Sequence, residues 1–211
     1  MSPTLSFFPV CYPLDFTIRR ALGVSSLEGG GCPLEITFGN DFDAPKQGGR
    51  LHHAIDIFGA IGLHIVATAS GTVAQHWYYS GARSAGPAAG QSEGGGYYVR
   101  IIDDQGYVHY YAHLHRPPIV RSGDRVPGGQ VIGLLGQTGL NASSCPHLHY
   151  QVRRPLCLTR KSLYSIDIGG NYYSTRGREA VNPYSELARI CIAVGGRPSG
   201  GTNYKISAPL W

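Results

Sequence analysis

Apolar and polar residues alternate with a period of two along most of the chain from Leu34 onward, and that period predicts short β-strands joined by turns. LEITFGN reads as a strand, with the turn-rich DFDAPKQGG after it. In LHHAIDIFG, Leu51, His53, Ile55 and Ile57 alternate with His52, Ala54 and Asp56. One face of that segment is mostly apolar and the other carries histidine and aspartate. LHIVATASGTVAQHWYY continues as two strands bent at Ser70-Gly71. YYVRII and YVHYYAHL flank Asp103-Asp104-Gln105-Gly106 as a β-hairpin. VRSGDRVPGGQVIGLLGQTG reads as another Gly-punctuated strand pair, and PHLHYQVRR closes the series. The fold class is therefore all-β, with one short helix expected at PYSELARICIAV.

The same pattern divides the chain. Residues 1–33 form an irregular N-terminal extension, 34–155 the patterned domain, and 156–211 a C-terminal extension holding the helix. Residues 80–96, SGARSAGPAAGQSEGGG, are a long loop of small residues, of the kind that either moves freely or walls a binding site.

Composition sharpens the picture only in places. A length of 211 residues suits one domain, and 42% hydrophobic with 15% charged residues rules out a disordered chain. Gly 30, Pro 14 and Tyr 14 fit strands and turns. The net charge of +5 gives a mild attraction to anionic partners. The basic residues are scattered and form no Lys/Arg stripe, which argues against nucleic acid. No apolar run approaches the roughly 18 to 20 residues of a membrane span. MSPTLSFFPVCYPLDF lacks a basic start and its apolar run is broken by Pro9, Pro13 and Asp15, so no secretion signal is expected there. Five cysteines without a CxxC pair exclude a cysteine zinc knuckle. Pairs such as Cys11–Cys32 or Cys157–Cys191 stay open, and the default is a set of buried small hydrophobes.

The candidate chemistry lies in the histidines. His147 and His149 are two apart in a strand, so both imidazoles leave one surface. His52 and Asp56 share a face too, but about 13 Å apart on a straight strand. A bend at His53-Ala54 is needed to bring them onto one ion. With His149 as third ligand they make a catalytic zinc set of two histidines and one carboxylate. His113 and His147 are then left for proton transfer and oxyanion stabilisation. Tyr111 is a further candidate for the oxyanion. His64, His76 and His109 read as ordinary packing residues, and His53 and His115 at most as groove lining. Cys145 has no Cys–His–Asn order around it, which excludes a nucleophile.

HHAID, YAHL and PHLHYQV, in that order, resemble the M23 zinc metallopeptidases, the lysostaphin-type or LytM-domain enzymes. The flanks agree: FGN before, IGLHIVATASGTV between, and VRSGDRVPGGQVIGLLGQTG ahead of HLH. The resemblance runs from Ile36 to Arg154. It implies a compact antiparallel β-sheet or sandwich domain with a groove, and zinc-dependent cleavage of peptide cross-links in bacterial peptidoglycan. By motif it implies His52, Asp56 and His149 as ligands of one Zn²⁺, and His113 with His147 as the catalytic pair. The implied partners are peptidoglycan stem peptides and cross-bridges, met at the cell wall outside the cytoplasm or from a virion. Ala54, Asn40 and Cys145 depart from residues common in the family, and bear on substrate preference. Two non-catalytic readings compete. A LytM-type regulator of another hydrolase generally lacks ligands that this chain keeps. A carrier module of the lipoyl type needs a hairpin lysine, and none is present.

Overall fold

The computed structural model describes residues 3–11, 32–33, 35–77, 93–139, 142, 145–155 and 179–206. Thirteen strands and one α-helix are formed there: β1 Val10–Cys11, β2 Ile36–Phe38, β3 Ile55–Phe58, β4 His64–Val66, β5 Gly71–Trp77, β6 Tyr97–Asp103, β7 Val108–Leu114, β8 Arg125–Val126, β9 Val131–Leu134, β10 His147–Arg153, β11 Ala180–Val181, α1 Tyr184–Ala193, β12 Arg197–Gly200 and β13 Asn203–Ile206. The large sheet runs β12-β13-β2-β3-β10-β7-β6-β5-β8, with β11 paired to β10, and a small sheet runs β1-β4-β9. The pairings are antiparallel, so the all-β expectation holds.

Alternation decides which side of the large sheet becomes core. Ile55, Ile57, Leu148, Tyr150 and Tyr111 point toward the small sheet and are fully buried with Phe8, Ile65 and Ile132. Asp56 and His149 lie between them in sequence and emerge on the opposite face. Polar atoms pin the two sheets across this core. The Thr68 hydroxyl lies 2.7 Å from the Tyr111 hydroxyl and 2.9 Å from that of Tyr150. His109 joins through Nδ1 at 3.1 Å from Thr68 Oγ1, and its Nε2–H donates to Asp103 at 3.0 Å. His109 is thus a packing residue inside a satisfied network.

Two expectations need correction. VRSGDRVPGGQVIGLLG is not a strand pair, because β8 joins β5 in the large sheet while β9 joins β4 in the small one. The connection at Pro127-Gly128-Gly129 passes between layers. The described residues of the two extensions, outside 34–155, pair and pack with the sheets. β1 completes the small sheet, β13 pairs with β2, and Leu187, Ile190 and Cys191 of α1 are core residues. Finally, the cysteines pair as Cys32–Cys145, with Cys11 and Cys191 free and buried. Cys157, His76 as a side chain, and all of the 80–96 loop before Glu93 lie outside the described residues.

Thr68→Val keeps the shape at the sheet interface but strips the hydroxyl from three buried partners. Urea unfolding is expected to show a loss of about 1–3 kcal/mol, and a loss within error would mean that the Tyr111 and Tyr150 hydroxyls find other partners.

Candidate metal centre

The bend that the His52–Asp56 spacing demands is present. His52 is not in a strand of the large sheet. Its backbone is clamped to the preceding loop, where Asp43 N–H donates to His52 O at 2.7 Å and His52 N–H to Ala44 O at 2.9 Å. The chain turns at the fully buried Ala54 and only then enters β3. Leu51 is consequently 49% exposed, not on an apolar face as its alternation predicts.

The turn brings His52 Nε2 to 3.1 Å from Asp56 Oδ1. Register does the rest, because His149 of β10 sits directly opposite Asp56 of β3. His149 Nδ1 is 3.0 Å from Asp56 Oδ1 and 3.1 Å from His52 Nε2. Three electron-pair donors thus form a near-equilateral triangle. With both rings neutral and their lone pairs facing inward they would repel, so the arrangement calls for a shared cation. Four-coordinate divalent ions with bonds of about 2.0–2.1 Å hold neighbouring ligands roughly 3.3 Å apart, and the triangle fits. Burial pulls His52 downward, yet its hydrogen bonds to Asp41 and Asp56 outweigh this and raise it to about 9. Burial likewise pushes Asp56 up, but the hydrogen bonds from His149 and His52 leave it well below the usual carboxylate range.

His52 has a support that its motif does not reveal. Its Nδ1–H donates to the Asp41 carboxylate at 3.0 Å, which leaves Nε2 to face the centre. The other Asp41 oxygen accepts from Asp56 N–H at 3.3 Å. One carboxylate thereby positions two of the three donors. Asp41 lies in an aperiodic turn, and its spacing of eleven from His52 carries no pattern; the one available signal was an acidic turn leading into HHAID.

The two remaining histidines reach the same place by different routes. His147 follows alternation from His149, and its Nδ1–H donates to the Cys145 carbonyl at 3.0 Å. His113 does not follow it. Plain alternation groups His113 with Tyr111 and His109, which face the core. A left-handed φ of 65° at His113 breaks the strand geometry and turns its ring into the groove beside Ala112. Its Nδ1–H donates to the Thr138 carbonyl at 2.8 Å, and its centroid lies 4.7 Å from that of His147. Both rings therefore present Nε2 to the groove. Burial, helped by the proximity of His147, takes His113 down to about 4, and burial also lowers His147.

Thr138 is itself held. Its hydroxyl donates to Leu114 O at 2.6 Å and accepts from Tyr97 N–H at 3.1 Å. Gly96, at φ +60°, packs on it so closely that any side chain there would collide with the Thr138 backbone. Tyr111 is removed as an oxyanion candidate, because its hydroxyl accepts from Thr68 N–H at 2.9 Å on the core side. Tyr110 lines the groove instead, edge-on to His149 at 6.1 Å and with the Arg100 guanidinium 4.8 Å from its ring centre. His53 sits at the groove rim, paired with Asp43 at 2.9 Å, whereas His115 does not line it.

An antiparallel β-fold with a His-Asp-His donor triangle at the floor of a groove, and two more imidazoles beside it, defines a β-protein with a candidate metal centre. Residues 50–164 match the model of peptidase family M23, more than half of the chain, and the chain belongs to that family. It is 35% identical over 105 residues to lysostaphin of Staphylococcus simulans, covering 49% of this chain and 18% of that protein. It is 33% identical over 115 residues to an L-Ala–D-Glu endopeptidase of Bacillus subtilis, covering 51% and 31%. The chain thus spans under a third of either relative's length. A lytM protein of Ruminococcus gnavus has the same fold, with a TM-score of 0.58 at 20% identity over 90% of this chain and 61% of that one.

Asp41→Ala is expected to weaken divalent-metal binding about 10–100-fold through loss of the His52 anchor. Competition against a chelating dye measures this, and an unchanged affinity would remove Asp41 from the site.

Proposed function

We propose that this chain is a zinc-dependent endopeptidase that hydrolyses peptide cross-links of bacterial peptidoglycan. The observation that carries the reading is the triangle of His52 Nε2, Asp56 Oδ1 and His149 Nδ1, with sides of 3.0–3.1 Å and two further imidazoles beside it. Those three residues would hold the ion. Zinc with two imidazoles and one carboxylate, when bound, supplies Lewis-acid polarisation of the scissile carbonyl and acidity to the attacking water. Family membership supports the choice of metal and of a wall peptide as substrate.

His113 and His147 handle the protons. Each has committed Nδ1–H to a backbone carbonyl, so each begins with a free lone pair on Nε2. The one nearer the attacking water takes its proton and later delivers it to the leaving amine. The other, once protonated, donates to the developing oxyanion. The wall is outside the cytoplasm, so the site of action is periplasmic, extracellular or reached from a virion.

Incubating zinc-loaded protein with sacculi and analysing released muropeptides by mass spectrometry tests the reading. Cleavage is expected to stop with a chelator and in His149→Ala, which also loses its zinc. His113→Ala and His147→Ala are expected to keep zinc but to lose about 10²–10⁴-fold in rate. Cleavage that survives zinc removal would sink the proposal.

A further inference from the structure

His147 has its proton placed by a carbonyl that belongs to a peptide unit without an N–H. The Cys145 oxygen, which accepts from His147 Nδ1–H at 3.0 Å, is part of the Cys145–Pro146 peptide. Proline nitrogen carries no hydrogen, so this unit cannot be fastened from its nitrogen side. Beyond Pro146 the chain is fixed. His147 N–H donates to Gly136 O at 3.1 Å, and β10 pairs with β3 from His147 onward. The proline ring holds φ of Pro146, which leaves its ψ as the soft rotation that swings the Cys145 carbonyl relative to β10.

The disulfide to Cys32 restrains that rotation. Cys32 stands just ahead of β2, and Cys145 just ahead of β10. Both strands run antiparallel to β3, where Thr37 and His147 pair with the same residue, Phe58. The two cysteines therefore enter the sheet from one end, and their bond reaches across β3. Both are half-buried and open to a small thiol, whereas Cys11 and Cys191 are buried. With the Cys145 carbonyl turned away, Nδ1–H loses that acceptor inside a residue only 2% exposed. Part of the population then carries its hydrogen on Nε2 instead, and that form offers the groove no lone pair.

We infer that the Cys32–Cys145 disulfide is a positioning element for His147 and makes cleavage depend on oxidising surroundings. The inference rests on the peptidase reading, in which His147 moves a proton. Reduction by a thiol such as glutathione breaks the S–S bond and adds one hydrogen to each cysteine sulfur. Two molecules of the thiol leave as their own disulfide. His52, Asp56 and His149 are placed by Asp41 and by the β3–β10 register, so zinc binding is kept. Activity is low while the bond is reduced and rises outside the cytoplasm, where disulfides persist.

The test assays zinc-loaded protein on soluble muropeptide dimers when oxidised, after reduction with excess glutathione and after reoxidation, beside Cys32→Ser. On reduction and in Cys32→Ser, kcat is expected to fall about 10-fold, the weight of one hydrogen bond. KM and bound zinc are expected to stay unchanged, reoxidation to restore the wild type, and glutathione to add nothing in Cys32→Ser. In a His147→Ala background, loss of the disulfide is expected to change kcat by less than about 2-fold. A bond that only stabilises the fold would lower kcat alike in both backgrounds. That result, equal kcat for oxidised and reduced protein, or zinc lost together with kcat would overturn the inference and leave the peptidase reading intact. If the oxidised protein cuts no dimer, that reading fails, and NMR of the His147 ring nitrogens decides. A hydrogen that leaves Nδ1 for Nε2 on reduction supports the positioning, and an unchanged spectrum overturns it.

Discussion

A carboxylate that is only 7% exposed keeps its charge only if neighbouring atoms replace the water it has lost. For Asp56 those neighbours are His52, His149, His147 and Lys46, all within 3.8 Å. Each is a cation or can become one. Protons shared among the imidazoles satisfy the carboxylate in one state, and a divalent ion satisfies it in another. The register between β3 and β10 exists to serve this requirement. A slip of one residue would carry His149 to the core side and bring Leu148 into the groove, leaving Asp56 buried beside an alkyl chain.

The two other imidazoles are each supported by a backbone carbonyl. Thr138 O holds His113 and Cys145 O holds His147, so two backbone carbonyls seven residues apart aim the two rings. The two carbonyls are fastened differently. Thr138 is gripped by Leu114, Tyr97 and the close approach of Gly96. Cys145 is tied to Cys32, 113 residues earlier in the chain. The disulfide therefore anchors the same peptide unit whose carbonyl orients His147. A cysteine at a position usually taken by a small residue gains a physical reason.

Much of this was legible in the sequence where periodicity carried the information. His147 and His149 share a face because strands alternate, and the demand for a bend between His52 and Asp56 followed from the length of a strand residue. The strands and the helix at 184–193 came from the same signal. What periodicity could not supply was any departure from it. His113 lies in the groove through a single left-handed residue, and that same break transfers the groove position from Tyr111 to Tyr110. Asp41 and Lys46 lie in an aperiodic loop whose path depends on tertiary pairing with His52. The Cys32–Cys145 link has no sequence rule behind it. The addition of β13 to β2 is a pairing across about 170 residues that a local pattern does not encode.

That long-range pairing gives the groove a history as well as a shape. Asp56 and His149 are separated by 93 residues. A ribosome adding about 5–20 residues per second needs roughly 5 to 20 s to pass from one to the other. Through that interval His52 and Asp56 exist without their third partner, and β3 lacks the neighbour that sets its register. β2 waits longer still, since its outer edge is covered only after Ile206 has been made. Closure of the sheet thus follows the synthesis of β10 and then of β13, and the donor triangle cannot form before His149 has been made.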